Sequence, residues 1–71
     1  MSDVETFIEI LNQMGFENVE FTSEDKNSWH FKGFDTVDSL NVELKIDRDK
    51  DYTISYKPED QNDWYILDTV N

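Results

Sequence analysis

Residues 40–57 read LNVELKIDRDKDYTISYK, a stretch in which apolar and polar side chains alternate on both sides of a charged turn. Successive side chains of a β-strand point to opposite faces, so this spacing places the apolar groups of each run on one face. The polar residues 48–51 between the two runs have the length of a hairpin loop. The stretch therefore predicts two antiparallel strands, 40–47 and 52–57, that share one apolar face.

Two shorter runs with the same alternation precede this hairpin. Apolar residues take every second position within residues 18–22 and again within residues 28–32. This period predicts two further strands, joined by a short polar loop. The residues from Gly33 to Ser39 then form a longer turn that leads into the third strand.

The first fourteen residues follow a helical period. Ser2 and Glu5 have the spacing of a capping box, and Gly15 stands where a left-handed residue commonly ends a helix. Apolar residues recur between these signals at steps of three and four, which places them on one side of a helix over residues 2–14. They are Val4, Phe7, Ile8, Leu11 and Met14.

The last segment, residues 63–70, breaks the alternation with four consecutive apolar residues from Trp64 to Leu67. Aromatic and β-branched residues favour a fifth strand, and an unbroken apolar run indicates that both of its faces are at least partly covered. Trp64, Leu67 and Val70 also step by three, so a short C-terminal helix is the alternative.

These elements together predict an α+β fold in which one N-terminal helix packs on a four- or five-stranded antiparallel sheet. With 71 residues, the chain is too short for a second core, so we expect residues 1–71 to form a single small domain. The chain has no cysteine, which excludes disulfides and thiolate metal sites.

Charge is the most informative feature for function. The chain has 17 acidic and six basic residues, a net charge of −11 and a pI near 4.1. Nucleic acids and anionic membranes both require a basic face, so we expect no direct binding to either. The N-terminus is acidic where a signal peptide would be basic, and no apolar run is long enough to span a membrane, so we expect a cytoplasmic protein.

The charges are unevenly placed along the chain. All six bases lie within residues 26–57, where six acids balance them, whereas residues 1–25 and 58–71 contain acids and no base. This pattern predicts an acidic face, with an outward aromatic residue as its anchor. The alternative is that the acidity only keeps the protein in solution. The predicted partner-binding residues are Asp3, Glu5, Glu9, Glu20, Glu24, Asp25, Glu59, Asp60, Asp63, Tyr65 and Asp68.

Motifs for catalysis or metal binding are weak. Asp47, Asp49 and Asp51 have the spacing of a calcium loop, but Tyr52 and Pro58 occupy the positions where an EF-hand has glycine and glutamate, which favours a solvated turn. His30, the single histidine, falls on the polar side of its strand and is interpreted as a surface residue. The chain contains no phosphate-binding glycine motif and no nucleophile elbow. We therefore expect no enzymatic activity, no cofactor and no metal site.

Carboxylates on alternate strand residues lie about 6.8 Å apart, and those one helical turn apart lie about 5–6 Å apart, so both approximate a row of phosphates. In size and acidity the whole chain resembles phage-encoded DNA-mimic inhibitors of restriction, CRISPR or DNA-repair enzymes, although no motif carries this likeness. The resemblance implies an anti-CRISPR or anti-restriction inhibitor whose partner is a basic, nucleic-acid-binding protein in the host cytoplasm. The alternative is an accessory or immunity-type domain that binds one specific protein without mimicry.

Overall fold

The computed structural model describes residues 3–71. Five antiparallel strands form one sheet in sequence order, β1-β2-β3-β4-β5, so each strand pairs with its neighbours along the chain. One N-terminal helix packs on this sheet, and the predicted α+β fold is confirmed. The elements are α1 (Asp3–Gln13), β1 (Phe16–Glu24), β2 (Ser28–Asp35), β3 (Leu40–Asp47), β4 (Thr53–Pro58) and β5 (Tyr65–Thr69).

The hairpin quoted at the outset forms the centre of the sheet. β3 has the predicted bounds, and its pairing with β4 runs from Val42 opposite Pro58 to Ile46 opposite Ile54. On its other side, β3 pairs with β2 without interruption over the full length of both strands. Strand β2 therefore continues to Asp35, three residues beyond the prediction. The turn that follows β2 is correspondingly shorter than predicted.

One face of the sheet carries the hydrophobic core. The α1 residues Phe7 and Leu11 are buried against it, and the Phe7 ring meets the Trp29 ring edge-on at 4.8 Å between centroids. This packing follows from the helical period and the alternating period in the sequence. Both place their apolar residues in one layer between α1 and the sheet. The buried apolar residues are Phe7, Leu11, Phe16, Trp29, Phe31, Val42, Leu44, Ile46 and Ile54.

The end of α1 follows the predicted stop signal. Gly15 has a φ of 104°, a left-handed conformation that favours glycine, and its N–H donates to the Asn12 carbonyl at 3.1 Å. The Gly15 carbonyl accepts the Thr36 hydroxyl at 2.8 Å, which ties the helix end to the β2–β3 turn. The predicted capping box between Ser2 and Glu5 cannot be placed, because Ser2 lies outside the described residues.

The last apolar run forms a strand, β5, in place of the alternative helix. Its two faces are partly covered, with Trp64, Tyr65, Ile66 and Leu67 37%, 41%, 76% and 36% exposed. Strand β5 lies at the edge of the sheet, whereas the buried Phe7 of α1 packs on the Trp29 and Phe31 rings of β2. Within residues 3–71, no helix has the length and apolar character needed to cross a membrane.

Candidate partner-binding surface

The antiparallel order of the strands gathers acidic residues at one end of the sheet. At this end β1, β3 and β5 begin and β2 and β4 finish, so three separate segments of the chain meet there. Their sequences, residues 15–18, 34–41 and 58–65, contain no lysine, arginine or histidine. We call this surface the acidic end, and its carboxylates are Glu17, Asp35, Asp38, Glu59, Asp60 and Asp63.

Hydrogen bonds hold the segments of the acidic end in place. The Asp35 carboxylate accepts the backbone N–H groups of Val37 and Asp38, at 2.9 and 3.4 Å, which closes the β2–β3 connection. The Asn41 side chain donates to the Glu59 carboxylate at 3.3 Å, and the Glu59 N–H donates to the Asn41 carbonyl at 3.0 Å. The last two bonds connect the start of β3 to the end of β4, so hydrogen bonds fix the positions of the Asp35 and Glu59 carboxylates.

The nearest bases along the strands lie further inside the sheet and have partners of their own. Lys32 and Lys57 flank Glu43 in one row of paired residues. The Lys57 ammonium lies 2.7 Å from the Glu43 carboxylate, and the Lys32 ammonium lies 3.3 Å from Glu20. Neither lysine is paired with a carboxylate of the acidic end.

Seven of the ten predicted carboxylates lie outside the acidic end. Asp3, Glu5 and Glu9 are exposed on α1, and Asp68 lies opposite Ile54, toward the other end of β5. These four carboxylates are therefore not part of the acidic end. Of the predicted residues, the structure brings together Glu59, Asp60 and Asp63.

The predicted residues of β1 and the following loop are exposed, but each lies beside a base of the chain. Glu20 pairs with Lys32 at 3.3 Å. Glu24 pairs with Arg48, and Asp25 lies 3.2 Å from the ring of His30. These neighbours reduce the net negative charge along this edge of the sheet.

Asp25 also shapes the β1–β2 loop. Its carboxylate accepts the backbone N–H of Asn27 at 2.7 Å and that of Ser28 at 2.8 Å. The Asn27 bond, together with the His30 side chain and the Ser28 bond, lowers the pKa of Asp25. The Asp25 carboxylate thus stabilises the β1–β2 turn. The base beside it, His30, belongs to the same chain.

Three members of the acidic end were not among the predicted site residues. Glu17 was counted only as part of the N-terminal excess, and Asp35 and Asp38 fall in a region where acids and bases balance. Charge summed along the chain does not reveal the acidic end, because it is formed by the β2–β3 and β4–β5 turns. In an antiparallel sheet whose strands follow in sequence order, these two turns lie at the same end. The order of the strands was therefore the sequence signal that could have located the acidic end.

The opposite end of the sheet carries mixed charge and a structured turn. The Asp49 carboxylate accepts the Thr53 hydroxyl at 2.7 Å and the backbone N–H groups of Thr53 and Asp51, both at 3.1 Å. The Thr53 side chain is the main cause of the lowered pKa of Asp49. Among residues 3–71, no three metal-ligating side chains come together. Of the acids in residues 47–51, Asp49 holds the hairpin turn and Asp47 accepts the Ser28 hydroxyl at 2.7 Å.

The two neighbouring aromatics of the C-terminal segment lie on opposite faces. The ring of Tyr65, the predicted anchor, is 5.8 Å from that of Tyr56 on the core side. Trp64 lies over the polar face, where the Lys45 ammonium is 4.6 Å and the Lys57 ammonium 6.0 Å from its ring centroid. Trp64 is thus the aromatic that faces away from the helix.

Comparison with known proteins found no matching family model, no similar curated protein and no similar solved structure. The observations that bear on function are therefore those of the chain itself. They are the acidic end, the pairing of bases elsewhere on the sheet and the exposed apolar strand β5.

Proposed function

We propose that this protein is a non-catalytic, acidic binding module that inhibits a basic protein by occupying its nucleic-acid-binding site. The observation that carries the proposal is the acidic end, where six carboxylates from three segments meet without a base among those segments. A cytoplasmic site of action, in the host if the gene belongs to a phage, is part of the same proposal.

The charge density of the acidic end supports mimicry of a nucleic acid. Five strands spaced by about 4.8 Å give the end a width of about 19 Å. One strand of DNA carries a charge about every 3.4 Å along the helix axis, and thus about six charges over that width. The six carboxylates of the acidic end therefore match one DNA strand in charge per unit length.

The internal ion pairs support the same surface. Carboxylates next to a lysine or arginine of their own chain attract a basic partner less strongly, because the local net charge is small. Such pairs occur on β1 and along the middle of the sheet, at Glu20, Glu24 and Glu43. The segments of the acidic end contain no base, so attraction toward a basic groove is stronger there than at these paired carboxylates.

A second candidate function is an accessory or immunity-type domain that binds one specific protein without mimicry. The exposed apolar residues of β5 favour this candidate, since an interface built on them does not depend on charge. The two candidates differ in one respect that is directly measurable. A mimic competes with nucleic acid for its partner, and an accessory domain does not.

Capture from a nuclease-treated bacterial lysate tests where the partner binds. The protein, a double variant at the acidic end (Asp60→Lys with Asp63→Lys) and a matched control (Glu9→Lys with Asp51→Lys) would be immobilised in parallel. Both variants change the net charge equally, so a difference between them reports position. Captured proteins would be identified by mass spectrometry.

The proposal predicts that basic nucleic-acid-binding proteins are captured by the original protein and by the control, and are lost from the acidic-end variant. Retention of the same proteins by the acidic-end variant would place their binding elsewhere. Circular dichroism of the three proteins would establish that each one remains folded.

A further inference from the structure

We propose that the outer edge of β5 is a strand-addition site that accepts an extended, basic segment of the partner protein. The basic character of the partner rests on the proposed function, and this inference adds how the partner is held. In strand addition, a peptide pairs with the free edge of a sheet, so that main-chain hydrogen bonds supply affinity and alternate side chains supply specificity.

Strand β5 offers a free edge. It is the last strand of the sheet, and among residues 3–71 no other strand pairs with its outer side. An edge strand presents unpaired N–H and C=O groups, which form a template for another chain. Residues 65 and 66 remain in register with β4, and the one irregularity of the β4–β5 pairing falls at Leu67, between Ile66 and Asp68.

The other edge of the sheet is more strongly protected than β5. Strand β1 has two register shifts in its pairing with β2, and Asn18 within it has a φ of 54°. It also carries Glu17, Glu20 and Glu24, whereas β5 has one irregularity and one acid. Bulges and charges discourage edge-to-edge pairing, so β5 is the edge at which addition is expected.

The side chains of β5 provide apolar contacts on both faces of an added strand. Ile66 is 76% exposed and Tyr65 is 41% exposed, and these neighbours point to opposite faces of the sheet. Trp64 precedes them and is held over the polar face by Lys45 and Lys57. An added strand would bury apolar groups on either face, which favours its binding by about 25 cal/mol per Å².

The charges around β5 identify the chemistry of the occupant. Residues 58–71 contain four acids and no base, and Asp63 and Asp68 bracket the apolar run. They are five residues apart, or about 17 Å along an extended chain. The complementary segment is therefore apolar or β-branched in its centre, with lysine or arginine near each end. A second copy of this chain fits poorly, since each copy has a net charge of −11.

A synthetic peptide tests this site directly. The probe has three valines alternating with two threonines between terminal lysines, and its control carries N-methyl groups on alternate residues. N-methylation keeps the charge and the side chains but removes hydrogen-bond donors, so it blocks strand pairing. Binding would be followed by ¹H–¹⁵N NMR of the full chain, with Ile66→Lys as the test variant and Thr22→Lys as its control, since Thr22 is an exposed β-branched residue of β1 outside the acidic end.

Strand addition predicts that chemical-shift changes centre on residues 64–69 and that N-methylation weakens binding at least about tenfold, or 1.4 kcal/mol. Ile66→Lys should weaken binding similarly, and Thr22→Lys should change it by less than about twofold. Equal binding of the N-methylated peptide, or shifts confined to the acidic end, would overturn the proposal. Shifts of residues 64–69 that depend on protein concentration without peptide would show a second copy at this edge and would also overturn it.

The result of the peptide experiment can be distinguished from the result that tests the proposed function. Peptide binding at β5 with a partner that nucleic acid does not displace would leave the strand-addition site in place and reject mimicry. Displacement by nucleic acid with no peptide binding at β5 would support mimicry and reject strand addition.

Discussion

Individual residues show which sequence signals were sufficient. Leu11 and Gly15 were assigned from spacing and residue type alone, and they are a fully buried core residue and a left-handed helix stop. Both signals are local, since each depends on residues within four positions along the chain. Tyr65 is different: which face it takes depends on the pairing of β5 with β4, and its position on the core side follows from that pairing.

Leu11→Ala should reduce the free energy of unfolding by about 2–5 kcal/mol, because it removes a buried side chain and leaves a cavity under α1. Urea denaturation followed by tryptophan fluorescence measures this change. Met14→Ala is the matched control on the same helical stripe, since Met14 is 36% exposed and its truncation should cost less. A loss below about 0.5 kcal/mol for Leu11→Ala would contradict the packing described here.

Asp49 should titrate below an ordinary aspartate, because the Thr53 hydroxyl and backbone N–H groups stabilise its charged form. Since the folded-state pKa is the lower one, its stabilising effect is present above the unfolded-state pKa and is lost as the pH falls through the folded-state pKa. Thr53→Val should raise the pKa of Asp49, as measured by NMR titration of the carboxyl carbon. An unchanged titration curve in that variant would show that the hydroxyl does not act on Asp49.

At the scale of elements, the sequence predicted every strand but not how far β5 is covered. Four consecutive apolar residues are typical of a strand covered on both faces, yet α1 is only 11 residues long and its Phe7 packs on Trp29 of β2. The length of α1 could be predicted from its stop signal. The part of the sheet that α1 covers could not be predicted, because it depends on contacts distant in sequence.

Amide hydrogen exchange should separate the central and edge strands. Amides of β3, which lies between two strands and carries Val42, Leu44 and Ile46 in the core, should be among the slowest to exchange. Amides of β5 should exchange faster, because that strand has one neighbour and exposed side chains. Equal protection of the two strands would indicate that β5 is covered in solution.

At the scale of the whole molecule, composition revealed how much negative charge there is but not where it collects. The excess of acids in residues 1–25 and 58–71 suggested one face, whereas the sheet places β1 and β5 at opposite edges. The acidic end draws instead on turns from both the balanced and the acidic parts of the chain. Its formation follows from strand order, which becomes known only when the alternating runs are arranged as one sheet.

The scale of the molecule also limits what kind of function is open to it. Its Cα atoms have a radius of gyration of 11.1 Å. A domain of this size has a single small core, and a large fraction of its residues lies at the surface. Binding through an edge and an end of the sheet uses the surfaces that such a domain has, without requiring an enclosed pocket.

Competition on the captured partner tests the central claim most directly. The partner would be saturated with a fluorescent oligonucleotide that it binds, and this protein would be added while fluorescence anisotropy and complex mass are followed at several salt concentrations. The account predicts that the oligonucleotide is displaced and that displacement weakens steeply as salt screens the carboxylates of the acidic end. A stable ternary complex of partner, oligonucleotide and this protein would contradict it.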